Sequence, residues 1–210
     1  NSELVQFLAE EYSYATLQIL PQCHLQNEII KNKIEVGFIS NSGKNIRNNL
    51  EHHLGKKAEN KTLVFIYLGK NGIHSVDWKN LDENKDCFFI TRDPINHSTK
   101  SLNVLDESFS YHDLIASSDI TLTKGGYSTL ATTFANHNPV VTCVRKDFFE
   151  FEAIQEYLLS REIGILIKDK EFYSGNWQEP IKNALKLTVK DKVPLNGEIE
   201  TTDIIRQMLS

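Results

Sequence analysis

Thirteen residues carry the clearest chemical signal in the chain: Ser118-Asp119-Ile120-Thr121-Leu122-Thr123-Lys124-Gly125-Gly126-Tyr127-Ser128-Thr129-Leu130. An extended run leads into two glycines, and a helical pattern starts directly after them. With no Cβ at Gly125 or Gly126, a phosphate can approach the backbone there. The unpaired N–H groups and the dipole of the helix start favour negative charge, and the hydroxyls of Ser128 and Thr129 can add hydrogen bonds. A tight strand-to-helix turn with a serine cap is the competing account of the same residues.

Two further loops hold residues of the right type. Leu68-Gly69-Lys70-Asn71-Gly72 follows an apolar run and reads either as a plain turn or as a ligand contact through Gly69 and Gly72. Arg145-Lys146-Asp147-Phe148-Phe149-Glu150-Phe151-Glu152 alternates charge with aromatics. Acids such as Asp147, Glu150 and Glu152 suit sugar hydroxyls, and rings suit sugar faces. Packing of those rings in a core explains the pattern equally well. His52 and His53 sit on a charged helix and read as solvated, whereas His112, beside Tyr111 and Asp113, is placed either for a ligand or as a helix cap. There is no G-x-S-x-G elbow and no Walker A lysine, so hydrolase and P-loop kinase signatures are absent.

Positioning such loops requires strands. Apolar runs at 15–20, 35–39, 62–68, 87–91, 119–123, 139–144 and 164–167 alternate with amphipathic segments. Those segments are marked by Ile46, Leu50 and Leu54, by Tyr127, Leu130, Ala131, Phe134 and Ala135, and by Ile154, Tyr157 and Leu158. Continuous apolar runs suit strands buried on both faces. The pattern predicts an α/β fold, a Rossmann-like parallel sheet with helices on both faces, binding ligands beyond the strands' carboxyl ends. Residues 1–34 read as the tail of a preceding domain with a linker, broken by polar residues over 21–32. Residues 35–196 read as the Rossmann-like domain. Residues 197–210 read as an amphipathic helix, with Ile204, Ile205, Met208 and Leu209 on its apolar face, packing back toward the preceding domain.

Composition narrows the classes. The net charge of −5, with spread-out basic residues, disfavours a nucleic-acid surface. No apolar run reaches the ~18 residues of a membrane span. Cys23, Cys87 and Cys143 form neither a disulfide framework nor a zinc motif, so a cytoplasmic setting is expected. The sequons Asn60-Lys61-Thr62 and Asn96-His97-Ser98 then read as chance. The acidic opening is no signal peptide, and starting on Asn1 rather than Met suggests an excised piece.

The order of motifs resembles the C-terminal domain of GT-B glycosyltransferases: a strand, Lys-Gly-Gly-Tyr-Ser-Thr, a helix, Asn138-Pro139-Val140-Val141, then Val144-Arg145-Lys146-Asp147-Phe148-Phe149. It is more closely similar to the glycosyltransferase-like region before the sugar-kinase domain of L-arabinokinase-type proteins. Asp113-Leu114-Ile115-Ala116-Ser117-Ser118-Asp119, Ala9-Glu10-Glu11-Tyr12-Ser13 and Ser174-Gly175-Asn176-Trp177 carry that likeness. The resemblance implies a nucleotide-diphosphate-sugar donor. Gly125, Gly126, Ser128 and Thr129 would hold its diphosphate, bordered by Gly69 and Gly72, with Lys124 or Arg145 meeting the charge. The backbone at Ser110 and Tyr111 would face the base, and Asp147, Glu150 and Glu152 would lie near the sugar. It also implies an absent N-terminal GT-B domain holding the general base, so catalytic residues are unassigned. Without an Asp-x-Asp motif, no metal or other cofactor is expected. One position departs from the family. Where many members that use a uridine donor carry a ribose-gripping glutamate, this chain has Thr132, at a cost of about 1.5–3 kcal/mol if that pair is lost. A sugar-transferring donor domain is the leading expectation. A nucleotide-sugar hydrolase on the same fold, a non-catalytic sugar-nucleotide scaffold and a ligand-free interaction module are the others.

Overall fold

The computed structural model describes residues 2–210 other than 26, 27, 96, 98 and 147, so part of the second sequon, part of the 21–32 stretch and Asp147 lie outside the described residues. In chain order the elements are α1 (Ser2–Ser13), β1 (Gln18–Pro21), β2 (Lys33–Val36), α2 (Arg47–Leu54), β3 (Thr62–Tyr67), α3 (Gly69–Ile73), β4 (Cys87–Thr91) and β5 (Leu102–Val104). Then follow α4 (Tyr111–Ser117), β6 (Ile120–Thr123), α5 (Tyr127–Ala135), β7 (Val140–Cys143), α6 (Phe151–Arg161), β8 (Gly164–Ile167), α7 (Asp169–Phe172), α8 (Gln178–Ala184) and α9 (Gly197–Leu209). The chain divides into two compact units: Asn1–Ser40 with Pro194–Ser210, and Asn41–Val193.

The larger unit is built on a six-stranded sheet in the order β5-β4-β3-β6-β7-β8, parallel throughout. It is the expected α/β, Rossmann-like architecture. Every residue of β4, β6 and β7 is buried, as strands covered on both faces must be. Alternate residues separate two cores. Leu63, Phe65, Phe88 and Ile90 meet Leu50 and Leu54 of α2 and Leu114 of α4. Val64, Ile66, Phe89 and Leu122 face Phe172, Trp177 and Ile181 on the opposite side. The expected strands all form: 87–91 and 164–167 keep their bounds, 62–68, 119–123 and 139–144 lose a residue at one or both ends, and the first two shift to Gln18–Pro21 and Lys33–Val36. Strand β5 escapes sequence reading because Leu-Asn-Val is a three-residue, half-exposed edge with no apolar run.

The amino ends of the two central strands are clamped electrostatically. The Arg47 guanidinium donates to Asp119 Oδ2 at 3.1 Å, and to the carbonyls of Ser117 and Lys61 at 3.2 and 3.3 Å. Asp119 Oδ2 also accepts the Leu63 N–H at 2.7 Å, tying the start of β3 to the residue before β6.

In the smaller unit β1 and β2 pair in parallel. The Phe38 N–H donates to Pro194 O at 2.9 Å, and the Gly37 N–H to Glu200 Oε2 at 2.7 Å. Helix α1, where no helix was expected, buries none of its residues and exposes Leu4, Val5, Phe7, Leu8 and Tyr12. On α9, Ile199, Ile205, Met208 and Leu209 are exposed as well. Among the described residues no helix is long and apolar enough to cross a membrane.

One buried side chain joins two loops of the larger unit. Asn84, fully buried, donates through Nδ2 to Leu81 O and Gly175 O at 2.9 and 3.1 Å, while Oδ1 accepts the Trp177 N–H at 2.8 Å. Trp177 is itself fully buried and packs edge-on against Phe89 and Trp78. Asn84→Ala leaves that N–H unpaired in a dry interior, so a loss of roughly 2–3 kcal/mol is expected in a urea unfolding curve, with the slope unchanged.

Candidate functional site at the carboxyl edge of the sheet

Strand order reverses between β3 and β6, and the two glycine-bearing loops leave the sheet side by side there. They meet through Lys124. A Cβ built on Gly72 would lie 2.9 Å from Lys124 Cδ and 3.0 Å from Cε, so the glycine makes room for the lysine stem. Gly69 has φ +67°, and its N–H and that of Leu68 both donate to buried Asp93 Oδ2, at 3.1 and 3.0 Å. An internal carboxylate therefore occupies the donors at the start of α3. Asp93 was not singled out in the sequence, although an acid two residues beyond a strand's carboxyl end was a readable signal.

Gly125 and Gly126 play different parts. Gly125 has φ +79°, and a Cβ there would meet Thr142 Oγ1 at 2.9 Å and Phe151 Cε2 at 3.1 Å. Backbone and packing both demand glycine at that position. Gly126 is the N-cap of α5, with φ −70° and ψ 141°, and a Cβ there would project into open space. Nothing within the protein requires glycine at that position. No side chain caps α5, and its first turn carries no acid. Ser128 is exposed beside it, while Thr129 is only 6% exposed, with its side chain turned toward Tyr111.

Tyr111 begins α4, where the Ser110 hydroxyl accepts the Asp113 N–H as helix cap; the cap is therefore Ser110 and not His112. Its ring packs edge-on against Phe65, Tyr67 and His112, at 5.5, 5.0 and 5.6 Å between centroids. The Tyr111 hydroxyl is buried near Thr129 without a well-directed hydrogen bond, and burial pushes its pKa up. Tyr67, 37% exposed, leaves an aromatic surface at the mouth of the crevice.

The loop after β7 separates its three phenylalanines. Phe151 is buried against Gly125, Phe148 lies half-buried under the Arg145 guanidinium at 4.3 Å, and Phe149 is 83% exposed. Core packing and surface display thus both occur in one motif. Glu150 and Glu152 are exposed at the start of α6. Beyond the ends of β6, β7 and β8 lies a cavity of about 800 Å³ lined by Lys124, Val144, Arg145, Lys146, Lys168, Asp169, Lys170 and Tyr173. Lys124 and Arg145 were expected at a ligand site, whereas the segment after β8 was not considered. Its place at the end of a parallel strand was the signal that could have found it. Gly125, Gly126, Ser128, Thr129, Glu150 and Glu152 lie outside this lining, so Lys124 is the link between the glycine turn and the cavity.

The six-stranded parallel sheet with this strand order is a Rossmann-like fold, and solved glycosyltransferase structures share it. The calicheamicin glycosyltransferase CalG4 matches with a TM-score of 0.60 and 14% identity, over 91% of this chain and 53% of its own. Spinosyn forosaminyltransferase SpnP matches with 0.58 and 17%, over 88% and 51%. A UDP-glucosyltransferase from Polygonum tinctorium matches with 0.59 and 13%, over 87% and 48%. The chain spans about half the length of these structures. No family model and no curated protein matches it.

Two expectations follow from the geometry. Gly125→Ala forces a side chain into a left-handed backbone and against Thr142, so a loss of about 1–3 kcal/mol is expected in thermal or urea unfolding, whereas Gly126→Ala changes stability by less than about 0.5 kcal/mol. Burial also raises the thiols of Cys87 and Cys143 from 9.0 to about 11. At pH 8 that leaves roughly one thiolate in a thousand, so a thiol reagent should label Cys23 alone in the native chain and all three cysteines in denaturant. Because the raised thiol pKa values disfavour ionisation in the folded state only, their contribution to stability is complete below pH 9 and declines as pH rises toward 11.

Proposed function

We propose that this chain is the donor-binding half of a GT-B-type glycosyltransferase-like protein that transfers a sugar from a nucleotide-diphosphate donor. The carrying observation is Gly126: a helix N-cap that no internal contact requires to be glycine, opening onto free space at the sheet's switch point. A diphosphate lying against that helix start is met by backbone N–H groups, the Ser128 hydroxyl and the charges of Lys124 and Arg145. The backbone at Thr129 borders it, with Gly69 and Gly72 on the far side. The base lies along the edge formed by Ser110, Tyr111 and Tyr67. Glu150 and Glu152, with Asp147 by the family resemblance alone, are assigned to the sugar.

An N-terminal GT-B domain would supply the acceptor site and the general base, and the exposed apolar residues of α1 and α9 offer it separate docking surfaces. Closer kinship with the region preceding the kinase domain of L-arabinokinase-type proteins, a cytoplasmic setting and a metal-free transfer belong to the same proposal. Thr132 favours a second reading, a non-catalytic sugar-nucleotide scaffold. It is 4% exposed within α5 and offers no charged group to a ribose.

Calorimetric titration with uridine, guanosine, adenosine and thymidine diphosphates, beside Gly126→Glu, tests the site. Saturable binding of one nucleotide is expected, weakened at least about a hundredfold by the introduced carboxylate while the melting temperature holds. Absence of binding by all four at millimolar concentration overturns the donor reading.

A further inference from the structure

The cavity beyond β7 and β8 holds more positive charge than a diphosphate at the glycine turn can use. Among the described residues, five cations and a single carboxylate, Asp169, line it in a chain whose net charge is −5. Among the described residues no ion pair neutralises Lys124, Lys146, Lys168 or Lys170. Like charges so gathered repel one another, and an anion relieves that repulsion.

Their placement separates them into two groups. Lys124 leaves β6 directly before the glycine turn, and Arg145 follows β7. Lys168 and Lys170 follow β8, two strands from β6. At ~4.8 Å per strand their backbones stand roughly 10 Å apart, so the two groups can meet the two ends of an elongated ligand. The volume of about 800 Å³ between them also exceeds what a diphosphate fills.

On the donor-binding reading above, we infer that the donor's sugar carries a carboxylate of its own, received by Lys168 and Lys170. The donor is a nucleoside-diphosphate hexuronic acid. Its diphosphate rests near Lys124, its ring crosses the end of β7, and its acid group reaches the loop after β8. The Tyr173 ring offers an apolar wall, and Asp169 accepts from sugar hydroxyls. Both ends of the ligand are anionic, as the two cation groups require.

The test compares the wild-type chain with a Lys168→Gln/Lys170→Gln variant by calorimetry. The probes are UDP, UDP-glucose and UDP-glucuronic acid, or the same set on whichever base the nucleotide titration selects. Wild type is expected to bind the hexuronic acid at least about tenfold more tightly than the hexose, the worth of one charge-assisted hydrogen bond. That preference should shrink with added salt. The variant should lose the preference and keep its affinity for the plain diphosphate. Both lysines are exposed, so an unchanged melting temperature is expected and verifies the fold. Equal affinity for the two sugars overturns the inference while leaving the donor site standing. So does a variant that loses the plain diphosphate as strongly as the hexuronic acid. Failure of every diphosphate to bind wild type overturns the donor reading, and this inference with it.

Discussion

The pairing of β3 with β6 is the constraint on which the rest of the larger unit depends. Phe65 and its ladder partner Thr121 lie 56 residues apart in the chain, yet they are neighbours at the centre of the sheet.

 Closing a loop of that length is opposed by entropy, so the pair needs reinforcement besides its ladder. Asp119 supplies it by accepting the Leu63 N–H while holding the Arg47 guanidinium, all at the amino ends. With those ends fastened, both strands run parallel to the opposite edge, where their following loops must emerge together.

That geometry explains why glycine recurs at the switch point for unlike reasons. Gly125 allows the chain to turn back over β7 with a positive φ against Thr142 and Phe151. Gly72 admits the stem of Lys124, which joins the two loops and places the lysine at the rim of the cavity. Gly126 answers to no internal demand. Asp93 fills the helix start after β3, whereas the start of α5 has no side-chain cap. Of two similar strand-to-helix turns, the second is the one open to an external anion.

Electrostatics and burial divide the same edge into regions of different character. Burial makes the Tyr111 hydroxyl harder to ionise, so that side of the crevice stays uncharged. Lysines that follow β6, β7 and β8 line the cavity. An apolar, aromatic end near Tyr67 and Tyr111 thus gives way along the edge to a cationic one. That gradient matches a ligand with an aromatic base at one end and negative charge at the other.

What the sequence determined by itself was local. Continuous apolar runs announced strands buried on both faces, and the Gly-Gly pair before Ser128 announced a strand-to-helix turn, because each signal spans fewer than a dozen adjacent residues. Leu102–Val104 gave no such signal, having no apolar run, and α1 went unread although Leu4, Val5, Phe7 and Leu8 give it an apolar side. Tertiary structure alone decided which glycines serve packing and which leaves open space. It sent Phe148, Phe149 and Phe151 to three different environments. It also brought Lys168 and Lys170 to the cavity that Lys124 and Arg145 share. Strand order sets those distances, and strand order is fixed by contacts between residues far apart in the chain, which no local pattern encodes.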